Sequence, residues 1–179
     1  MKNSLNNILS TSLYFLIVLL VVFGIVTYIG QKIEVVGSSM SPTLENGDNL
    51  LVDKFSYRFH EPQRYDIVVF PYRYEDNVFY IKRIIGLPGE TVYINSEGTI
   101  YINGEVLNES YGKEIIKDPG RAYEEIKLGH NEYFVLGDNR NNSMDSRDPN
   151  VGNLTLNEFI GKAFVRVSPL RKMGMIKHQ

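Results

Sequence analysis

The sequence predicts a mainly β protein with an antiparallel, barrel-like sheet, preceded by one N-terminal transmembrane helix. Two observations lead to this fold class. Residues 13–29 form an almost purely apolar run, LYFLIVLLVVFGIVTYI, and no charged residue lies between Lys2 and Lys32. After this run the apolar residues recur with the period of strands, in short β-branched segments between turn residues, and no long amphipathic helix follows.

The apolar run, extended by its polar neighbours, nearly reaches the length of about 20 residues that a bilayer span needs. A cleaved signal peptide is the competing interpretation, but it favours a shorter apolar core and an Ala-x-Ala-like site. The run ends instead in TYIGQK, with Tyr28 at the expected membrane interface. We therefore expect a cytoplasmic N-terminus over residues 1–10, a single-pass transmembrane anchor over residues 11–31 and an extracytoplasmic catalytic domain over residues 32–179.

Eight segments after the anchor are predicted to be strands. Asn103-Gly104 is a two-residue hairpin signal between the predicted strands Thr99–Ile102 and Glu105–Leu107. Residues 139–153 are predicted to be a polar loop. The Thr155-x-x-Glu158 pattern could cap a short helix. The predicted strands are Asn49–Lys54, Asp66–Phe70, Val78–Ile85, Thr91–Ile94, Thr99–Ile102, Glu105–Leu107, Glu132–Leu136 and Lys162–Val167.

The composition argues against several kinds of site. With 21 acidic and 19 basic residues the net charge is -2, so the basic stripe of a nucleic-acid surface is not expected. There is no cysteine, which excludes a thiol nucleophile, a disulfide framework and a Cys-ligated metal. His60, His130 and His178 lack metal-ligand spacing, and we predict no metal and no other cofactor. A Ser-His-Asp triad stays possible in principle, because triads are defined by geometry.

Two residues could carry nucleophilic chemistry. Ser39 lies between Gly37 and Pro42, where glycine allows close approach of another backbone and proline ends a strand. This context suits an exposed hydroxyl beside N–H groups that could bind an oxyanion, but an ordinary turn serine has the same context. Lys82 shares a strand face with apolar side chains, where burial would be costly unless the amine were neutral. A solvent-exposed lysine is the alternative.

Four segments together resemble the signature boxes of bacterial type I signal peptidases. They are SMSPTL from Ser39, YDIVVF from Tyr65, KRIIGLPGE from Lys82 and GDNRNNSMDSR from Gly137. They follow an N-terminal anchor in the order that the family shows, and the resemblance covers residues 12–170. The short chain with one anchor is similar to the Gram-positive form of the family.

The resemblance implies a serine endopeptidase that removes signal peptides from secretory preproteins at the lipid bilayer of the cell membrane. Ser39 matches the nucleophile and Lys82 the general base. A free lysine has a pKa of about 10.4 and is protonated at neutral pH, so a catalytic Lys82 needs a lowered pKa. Desolvation among apolar strand neighbours is the expected cause.

The resemblance also implies roles for supporting residues. The N–H of Ser39 matches one oxyanion donor, and Gly37 stands where some members have a second, hydroxyl donor, with Ser38 adjacent to it. The other implied positions are Ser143 as the hydrogen-bond partner of the lysine amine, and Asp145 and Arg147 as an ion pair that holds the loop, with Arg83 nearby.

Substrate contacts are implied at two places. Met40 matches a residue beside the pocket for a small side chain, and Ile81 lies next to the base. The strand from Asp66 to Phe70, which includes Ile67, Val68 and Val69, matches a strand that pairs with an extended substrate. Alternate side chains of such a substrate face the enzyme, so we expect small residues at the first and third positions before the cut.

Two alternative functions stay open at this point. A self-cleaving regulator of the related repressor family would share a Ser/Lys dyad, but the anchor and the missing helix-turn-helix argue against it. A non-catalytic, membrane-tethered β-module that binds extended peptides would be preferred if either dyad position were missing, and both are present.

Overall fold

The chain was analysed as a computed structural model, which describes residues 7, 10–20, 24 and 30–176. It divides into two compact units, Met1–Gln31 and Lys32–Gln179. In the first unit, residues 10–20 are helical. The rest of the predicted anchor up to residue 29, apart from residue 24, lies outside the described residues, as do residues 1–6 and 8–9 of the predicted N-terminal segment.

Among the described residues, no helix combines the length and the apolar character needed to cross a membrane.

The structure beyond the first helix is mainly β, as predicted. Four 3-10 helices lie between the strands, at Ser56–Arg58, Gly120–Tyr123, Leu156–Glu158 and Leu170–Lys172. The strands are β1 (Gly30–Glu34), β2 (Asn49–Asp53), β3 (Ile67–Pro71), β4 (Phe79–Gly86), β5 (Thr91–Ile94), β6 (Ile100–Ile102), β7 (Glu105–Val106), β8 (Ile126–Lys127), β9 (Glu132–Leu136), β10 (Leu154–Thr155), β11 (Gly161–Ser168) and β12 (Gly174–Met175).

Each of the eight predicted strands is present, with its ends close to the predicted residues. The capped helix is present as the 3-10 helix Leu156–Glu158, where the Glu158 carboxylate accepts a hydrogen bond from the Thr155 N–H at 2.7 Å. Strands β1, β8, β10 and β12 were not predicted. Strands β8, β10 and β12 have only two residues each, which is too short for a periodic sequence pattern. Strand β1 directly follows the apolar run, so residues 30–31 belong to a strand and not to the predicted anchor.

Two antiparallel sheets make up the β structure. The larger has the strand order β1-β2-β11-β3-β4-β9-β10, with β12 added to β11. The smaller has the order β7-β6-β5-β8. In the larger sheet β3 lies between β11 and β4, and its register with β4 places Val68 opposite Lys82 and Ile67 opposite Arg83.

Strand β3 is buried on both of its faces. Ile67 and Val69 belong to one apolar cluster together with Met40, while Val68 and Phe70 belong to another on the opposite face. Because successive side chains of a strand point to opposite faces, this explains why the DIVVF segment is a continuous apolar run and not an alternating one. The consequence is a rigid central strand that positions β4, and with it Lys82.

Candidate active site

The structure brings Ser39 and Lys82 together. Ser39 lies in the turn that follows β1, and Lys82 lies in the middle of β4. The Lys82 Nζ is 2.8 Å from the Ser39 Oγ and 3.0 Å from the Ile81 carbonyl oxygen. This is the distance that proton transfer between a nucleophile and a general base requires.

The environment of Lys82 favours its neutral amine. The side chain is only 3% exposed, and desolvation by burial lowers the pKa of Lys82 to about 8, although the negative charges of Asp145 and Asp138 oppose this shift. An ammonium group in an apolar environment loses its hydration, so burial destabilises the protonated form. Near neutral pH a minority of Lys82 side chains is therefore neutral and able to accept a proton, a much larger fraction than for a free lysine.

The nucleophile segment is held by the side chain and backbone of Asn139. The Asn139 N–H donates to the Ser39 carbonyl oxygen at 2.9 Å, and its Nδ2 donates to the Ser38 carbonyl oxygen at 3.0 Å. At the start of the segment, Gly37 has a φ of 94°, which favours glycine, and its N–H donates to Asn46 Oδ1 at 2.9 Å. Both carbonyls are thus directed at the polar loop, and Ser39 presents its hydroxyl to Lys82.

Gly137 permits the close contact between this segment and the loop. A Cβ atom at residue 137 would lie 2.5 Å from the Ser39 carbonyl oxygen and 2.2 Å from the Ser143 Oγ. Real Cβ atoms essentially never approach other atoms that closely, so only glycine fits here without displacement of the backbone that carries Ser39.

The Asp145–Arg147 ion pair implied by the resemblance is present and holds the loop. Arg147 Nε and Nη2 each lie 2.9 Å from an oxygen of Asp145. The other hydrogen bonds of the Arg147 guanidinium go to the carbonyl oxygens of Asp118 and Arg140, and Asp145 Oδ2 accepts the Gly137 N–H at 3.0 Å. The pair therefore crosslinks both ends of the loop.

Arg83, expected near this pair, binds a different carboxylate. Its guanidinium binds Asp138 through two hydrogen bonds, of 2.9 Å from Nε and 2.7 Å from Nη2, and both side chains are fully buried. Thr43 Oγ1 donates to the same carboxylate at 2.5 Å, and the guanidinium carbon lies 3.8 Å from the Tyr111 ring centre. Asp138 was not among the predicted site residues, although it lies beside Gly137 in one of the segments that resemble the family.

Ser143 does not make the expected hydrogen bond to Lys82. Its Oγ is buried and has no hydrogen-bond partner in the structure, while the Lys82 amine binds Ser39 and the Ile81 carbonyl. Ser143 instead packs against Gly137. Its hydroxyl group lies within the loop that supports Ser39.

A groove of about 590 Å³ opens beside Ser39 and Lys82. One wall is the segment from Ile33 to Met40, the opposite wall is the segment from Asn77 to Lys82, and Asn142 and Met144 of the polar loop complete the lining. Met40 and Ile81 both lie in it, as expected of residues beside a substrate pocket.

The predicted substrate-pairing strand does not line this groove. Asp66, Ile67, Val68, Val69 and Phe70 are all buried, and the β3 backbone already pairs with β4 on one side and with β11 on the other. Val68 and Val69 are paired on both sides, and the whole segment is buried outside the lining of the groove, so this prediction was wrong. The edges that face the groove belong to β1 and β4, and neither was predicted to pair with substrate.

Donors for an oxyanion are present next to Ser39. Within the described residues the Ser39 N–H donates no hydrogen bond. Gly37 offers no hydroxyl, and the Ser38 hydroxyl accepts a hydrogen bond from Asn142 Nδ2 at 3.0 Å. The backbone N–H of Ser39 is therefore free for a ligand, with two polar side chains beside it.

In the part of the chain that the structure describes, no group of three His, Asp or Glu side chains could hold a metal ion. Among the described residues, no histidine forms a hydrogen bond with the Ser39 Oγ, whose partner is Lys82. His178 lies outside the described residues.

Comparison with known proteins relates this arrangement to one family. A sequence model described as "Signal peptidase, peptidase S26" matches residues 8–168. The probable signal peptidase I-2 of Synechocystis sp. is 40% identical over 160 residues, which cover 86% of this chain and 70% of that protein. Signal peptidase I P of Bacillus subtilis subsp. natto is 36% identical over 183 residues, which cover 98% and 97%. A crystal structure of a signal peptidase I from Enterococcus faecalis, 35% identical, covers 57% of this chain and 97% of that chain with a TM-score of 0.48.

Replacement of Asp138 by alanine should strongly destabilise the fold, because it leaves the Arg83 guanidinium buried without its counter-ion. Breaking a buried pair in this way costs about 3–5 kcal/mol. The free energy of unfolding, measured in urea on the detergent-solubilised protein, should fall by this amount. The matched control is Glu114→Ala, which removes one partner of the exposed Lys117–Glu114 pair and should have little effect. Equal stability of the two variants would contradict the structural role of Asp138.

Proposed function

Because the chain belongs to the signal peptidase family, peptidase S26, we propose that it is a serine endopeptidase that cleaves signal peptides from secretory preproteins. The observation that carries the proposal is the 2.8 Å contact between Ser39 Oγ and a buried Lys82 amine at the side of an open groove. In this proposal Ser39 is the nucleophile and Lys82 the general base.

The reaction follows from this geometry. Neutral Lys82 takes the Ser39 hydroxyl proton while the oxygen attacks the carbonyl carbon at the cleavage site. The Ser39 N–H stabilises the resulting oxyanion. Lys82 then gives its proton to the leaving amine, and the mature protein departs with a new N-terminus. Water, deprotonated by the same amine, attacks the acyl-enzyme and releases the signal peptide as a carboxylic acid.

The groove wall formed by β4 offers an unpaired strand edge. The N–H and C=O of Ile84 bond to Asp66 and Tyr65 on the β3 side, and the C=O of Val78 accepts from Tyr72 on that side too. By alternation, the backbone groups of Phe79 and Ile81 point to the opposite edge. There β9 pairs with β4 only from Arg83 onward, so this part of the edge is open to an incoming peptide.

The opposite wall offers a second edge. The N–H of Val35 bonds to the Asp48 carbonyl and its C=O to the Gly47 N–H, both at 2.8 Å. The backbone groups of the neighbouring residues Glu34 and Val36 therefore point away from β2, toward the groove. Although β1 and β4 are separated by three strands in the sheet order, residues 33–36 and 77–82 line the same groove. The sheet is thus barrel-like, with a seam between these two walls.

An extended substrate fits this seam. Its backbone would add to one or both edges by β-strand addition, and its carbonyl carbon at the cleavage site would lie against the Ser39 Oγ, with Lys82 on the other side of that oxygen. Every second side chain would point at the apolar lining that includes Ile33, Val35 and Met40. This lining and the Ser39–Lys82 contact favour a peptidase over a module that only binds peptides.

The membrane anchor and topology are part of the proposal. The apolar run of residues 13–29 supports an anchor over residues 11–29, which ends where β1 begins. With the N-terminus in the cytoplasm, the catalytic domain lies outside, where translocated preproteins emerge. Protease added to intact spheroplasts should then digest the large domain, and full protection of that domain would contradict this topology.

Incubation of the detergent-solubilised full chain with a preprotein tests the activity. Cleavage of the preprotein at a rate proportional to enzyme concentration is the expected result. Cleavage of the chain only by itself would favour a self-cleaving regulator, and no cleavage at all would favour a binding module.

Replacement of Lys82 by arginine should abolish activity as fully as replacement by alanine, because a guanidinium keeps its charge and cannot accept a proton. A loss of about 10²–10⁴-fold in kcat is expected for removal of a general base. Ser39→Ala should be inactive because it lacks the nucleophile. Lys127→Arg, a change at an exposed lysine, is the control and should keep full activity. Substantial activity of folded Lys82→Arg would mean that another group is the base.

Activity should rise with pH as Lys82 loses its proton. Since burial lowers the pKa of Lys82 to about 8, the neutral fraction grows about tenfold per pH unit below that value and levels off above it. The measurement is kcat/KM for a short peptide from about two pH units below this pKa to about one above it. A profile without a rise across this range would contradict the role of Lys82.

Substrates should be selected for small side chains at the first and third positions before the cut. Side chains at these positions face the apolar lining of the groove, whereas the second side chain points away. In a peptide library, phenylalanine at either selected position should reduce kcat/KM by at least about tenfold relative to alanine. Phenylalanine at the second position is the internal control and should be tolerated. Equal rates at all three positions would refute the two-pocket arrangement.

A further inference from the structure

A second cavity, of about 350 Å³, lies apart from the groove beside Ser39 and Lys82 and shares no lining residue with it. Its volume falls within the range of about 300–1,000 Å³ that small-molecule sites occupy. Among the described residues, every charged side chain in its lining is cationic, namely Arg83, Arg166 and Lys172. We call this cavity the cationic pocket.

Separate segments of the chain bring the three cations together. Arg83 lies opposite Ile67 where β4 pairs with β3, and Arg166 lies opposite Leu50 where β11 pairs with β2. Both apolar partners belong to the same cluster, and directly paired side chains share one face of a sheet. The two guanidinium groups therefore lie on the same face of the larger sheet. Lys172 reaches the pocket from the 3-10 helix that follows β11.

The Arg166 guanidinium is incompletely paired. Its Nη2 donates to the Thr43 carbonyl oxygen. Its Nε is buried and lies 3.0 Å from an Asp48 carboxylate oxygen, yet it forms no hydrogen bond, and among the described residues its Nη1 forms none either. Because buried polar groups in proteins nearly always have a partner, a guanidinium bound at only one of its three nitrogen atoms indicates a place for a further acceptor.

Three carboxylates lie behind the pocket, and none of them belongs to its lining. Each is paired with one lining cation, so negative charge is directed away from the cavity and positive charge lies along it. The pairs are Asp138 with Arg83, Asp48 with Arg166, and Glu45 with Lys172.

A fourth cation gives the region an excess of positive charge. Arg171, the residue before Lys172, is exposed. The pKa of the Glu45 carboxyl is lowered by its hydrogen bond with Lys172 and by the charges of Lys172, Arg166 and Arg171. Four cations against three carboxylates leave one positive charge uncompensated beside a cavity whose charged lining is cationic.

A phosphate group matches this set of donors. Arginine binds phosphate oxygens through its planar fork, and lysine binds them as a point charge. Arg166 Nη1 and the Lys172 amine can donate from separate segments, while the fully buried Arg83 adds its charge without contact. A tetrahedral phosphate can accept from such separate directions more readily than a planar carboxylate can. The remaining lining, with Tyr111 and Met175, leaves room for an organic substituent.

We propose that the cationic pocket binds a phosphate group, carried by inorganic phosphate or by a phosphate ester. The ligand joins β11, through Arg166, to the 3-10 helix that carries Lys172. A ligand that binds only the folded chain raises the free energy of unfolding, so the bound phosphate stabilises the domain. The site contains neither Ser39 nor Lys82, so this inference does not depend on the proposed peptidase activity.

Met175 permits a matched test, because its side chain lines the pocket and is 82% exposed. Met175→Glu adds a negative charge to the lining, whereas Met175→Gln has nearly the same shape without the charge. Neither change removes a buried contact. Binding of inorganic phosphate to the detergent-solubilised full chain and to both variants is measured by isothermal titration calorimetry at constant ionic strength.

The unmodified chain and Met175→Gln should bind phosphate saturably, and Met175→Glu should bind it at least about tenfold more weakly because like charges repel at short range. Lys172→Gln should also weaken binding, whereas Lys127→Gln, which removes the same charge at an exposed lysine outside the pocket, should not. Equal dissociation constants for Met175→Gln and Met175→Glu, or no saturable binding to the unmodified chain, would overturn the proposal.

Two soluble esters distinguish the sources of the phosphate group. Tighter binding of glycerol 3-phosphate would identify free phosphate or a soluble monoester as the ligand. Tighter binding of glycerophosphoglycerol, a diester, would identify a lipid head group. Either result supports the pocket, and failure of both esters and of inorganic phosphate to bind overturns it.

Urea unfolding supplies an independent measurement. When phosphate replaces chloride, the midpoint should rise more for Met175→Gln than for Met175→Glu, because only the first variant keeps the site. Phosphate also stabilises folded proteins in general, by exclusion from their surface, and this effect is the same for both variants. Equal rises in the midpoint would therefore contradict the pocket.

Discussion

The burial of two adjacent basic side chains on β4 governs much of this structure. Lys82 is 3% exposed and Arg83 is fully buried, and as neighbours on a strand they point to opposite faces. Asp138 compensates the buried charge of Arg83 with two hydrogen bonds. Lys82 forms no ion pair among the described residues, so desolvation favours its neutral amine. One strand thereby carries a structural cation on one face and a candidate base on the other.

The polar loop from Gly137 to Arg147 connects these two environments. Asp138 neutralises Arg83, and the next residue, Asn139, holds the carbonyl groups of Ser38 and Ser39. Ion pairing within the loop fixes its shape, since Asp145 binds both Arg147 and the Gly137 N–H. Stability and the geometry of the candidate site are therefore coupled, because a change that loosens the loop also moves the Ser39 Oγ, which gives its proton to Lys82 in the proposed mechanism.

The seam between β1 and β4 explains how a sheet with most of its strands paired can still accept an extended peptide. Most strands are paired on two sides, as β3 is by β11 and β4. At the groove, the edges open to a peptide are those of Phe79 and Ile81 on one wall and of Glu34 and Val36 on the other, next to Ser39. Exposed strand edges invite pairing with other chains, and here the edges coincide with the place where an extended preprotein segment would be cut.

The sequence by itself determined the strands of the domain and identified Ser39 and Lys82. The strands follow from local signals, namely short β-branched runs, the Asn103-Gly104 turn and the Thr155–Glu158 cap, which depend on neighbours in the chain. The pair was identified through its resemblance to a family, because a serine in a turn and a lysine in a strand are not distinctive alone. The Asp145–Arg147 ion pair was found in the same way.

Only the tertiary structure decided which strand edges are free, which acid neutralises Arg83 and what Ser143 contacts. The DIVVF run is compatible with an edge or a central strand, and the choice depends on β11, which is about ninety residues away in the sequence. The same holds for Asp138, which reaches Arg83 because β9 pairs with β4 and delivers the polar loop. Strand order and buried charge pairing arise from contacts between segments that are distant in the sequence, and the local sequence pattern does not determine such contacts.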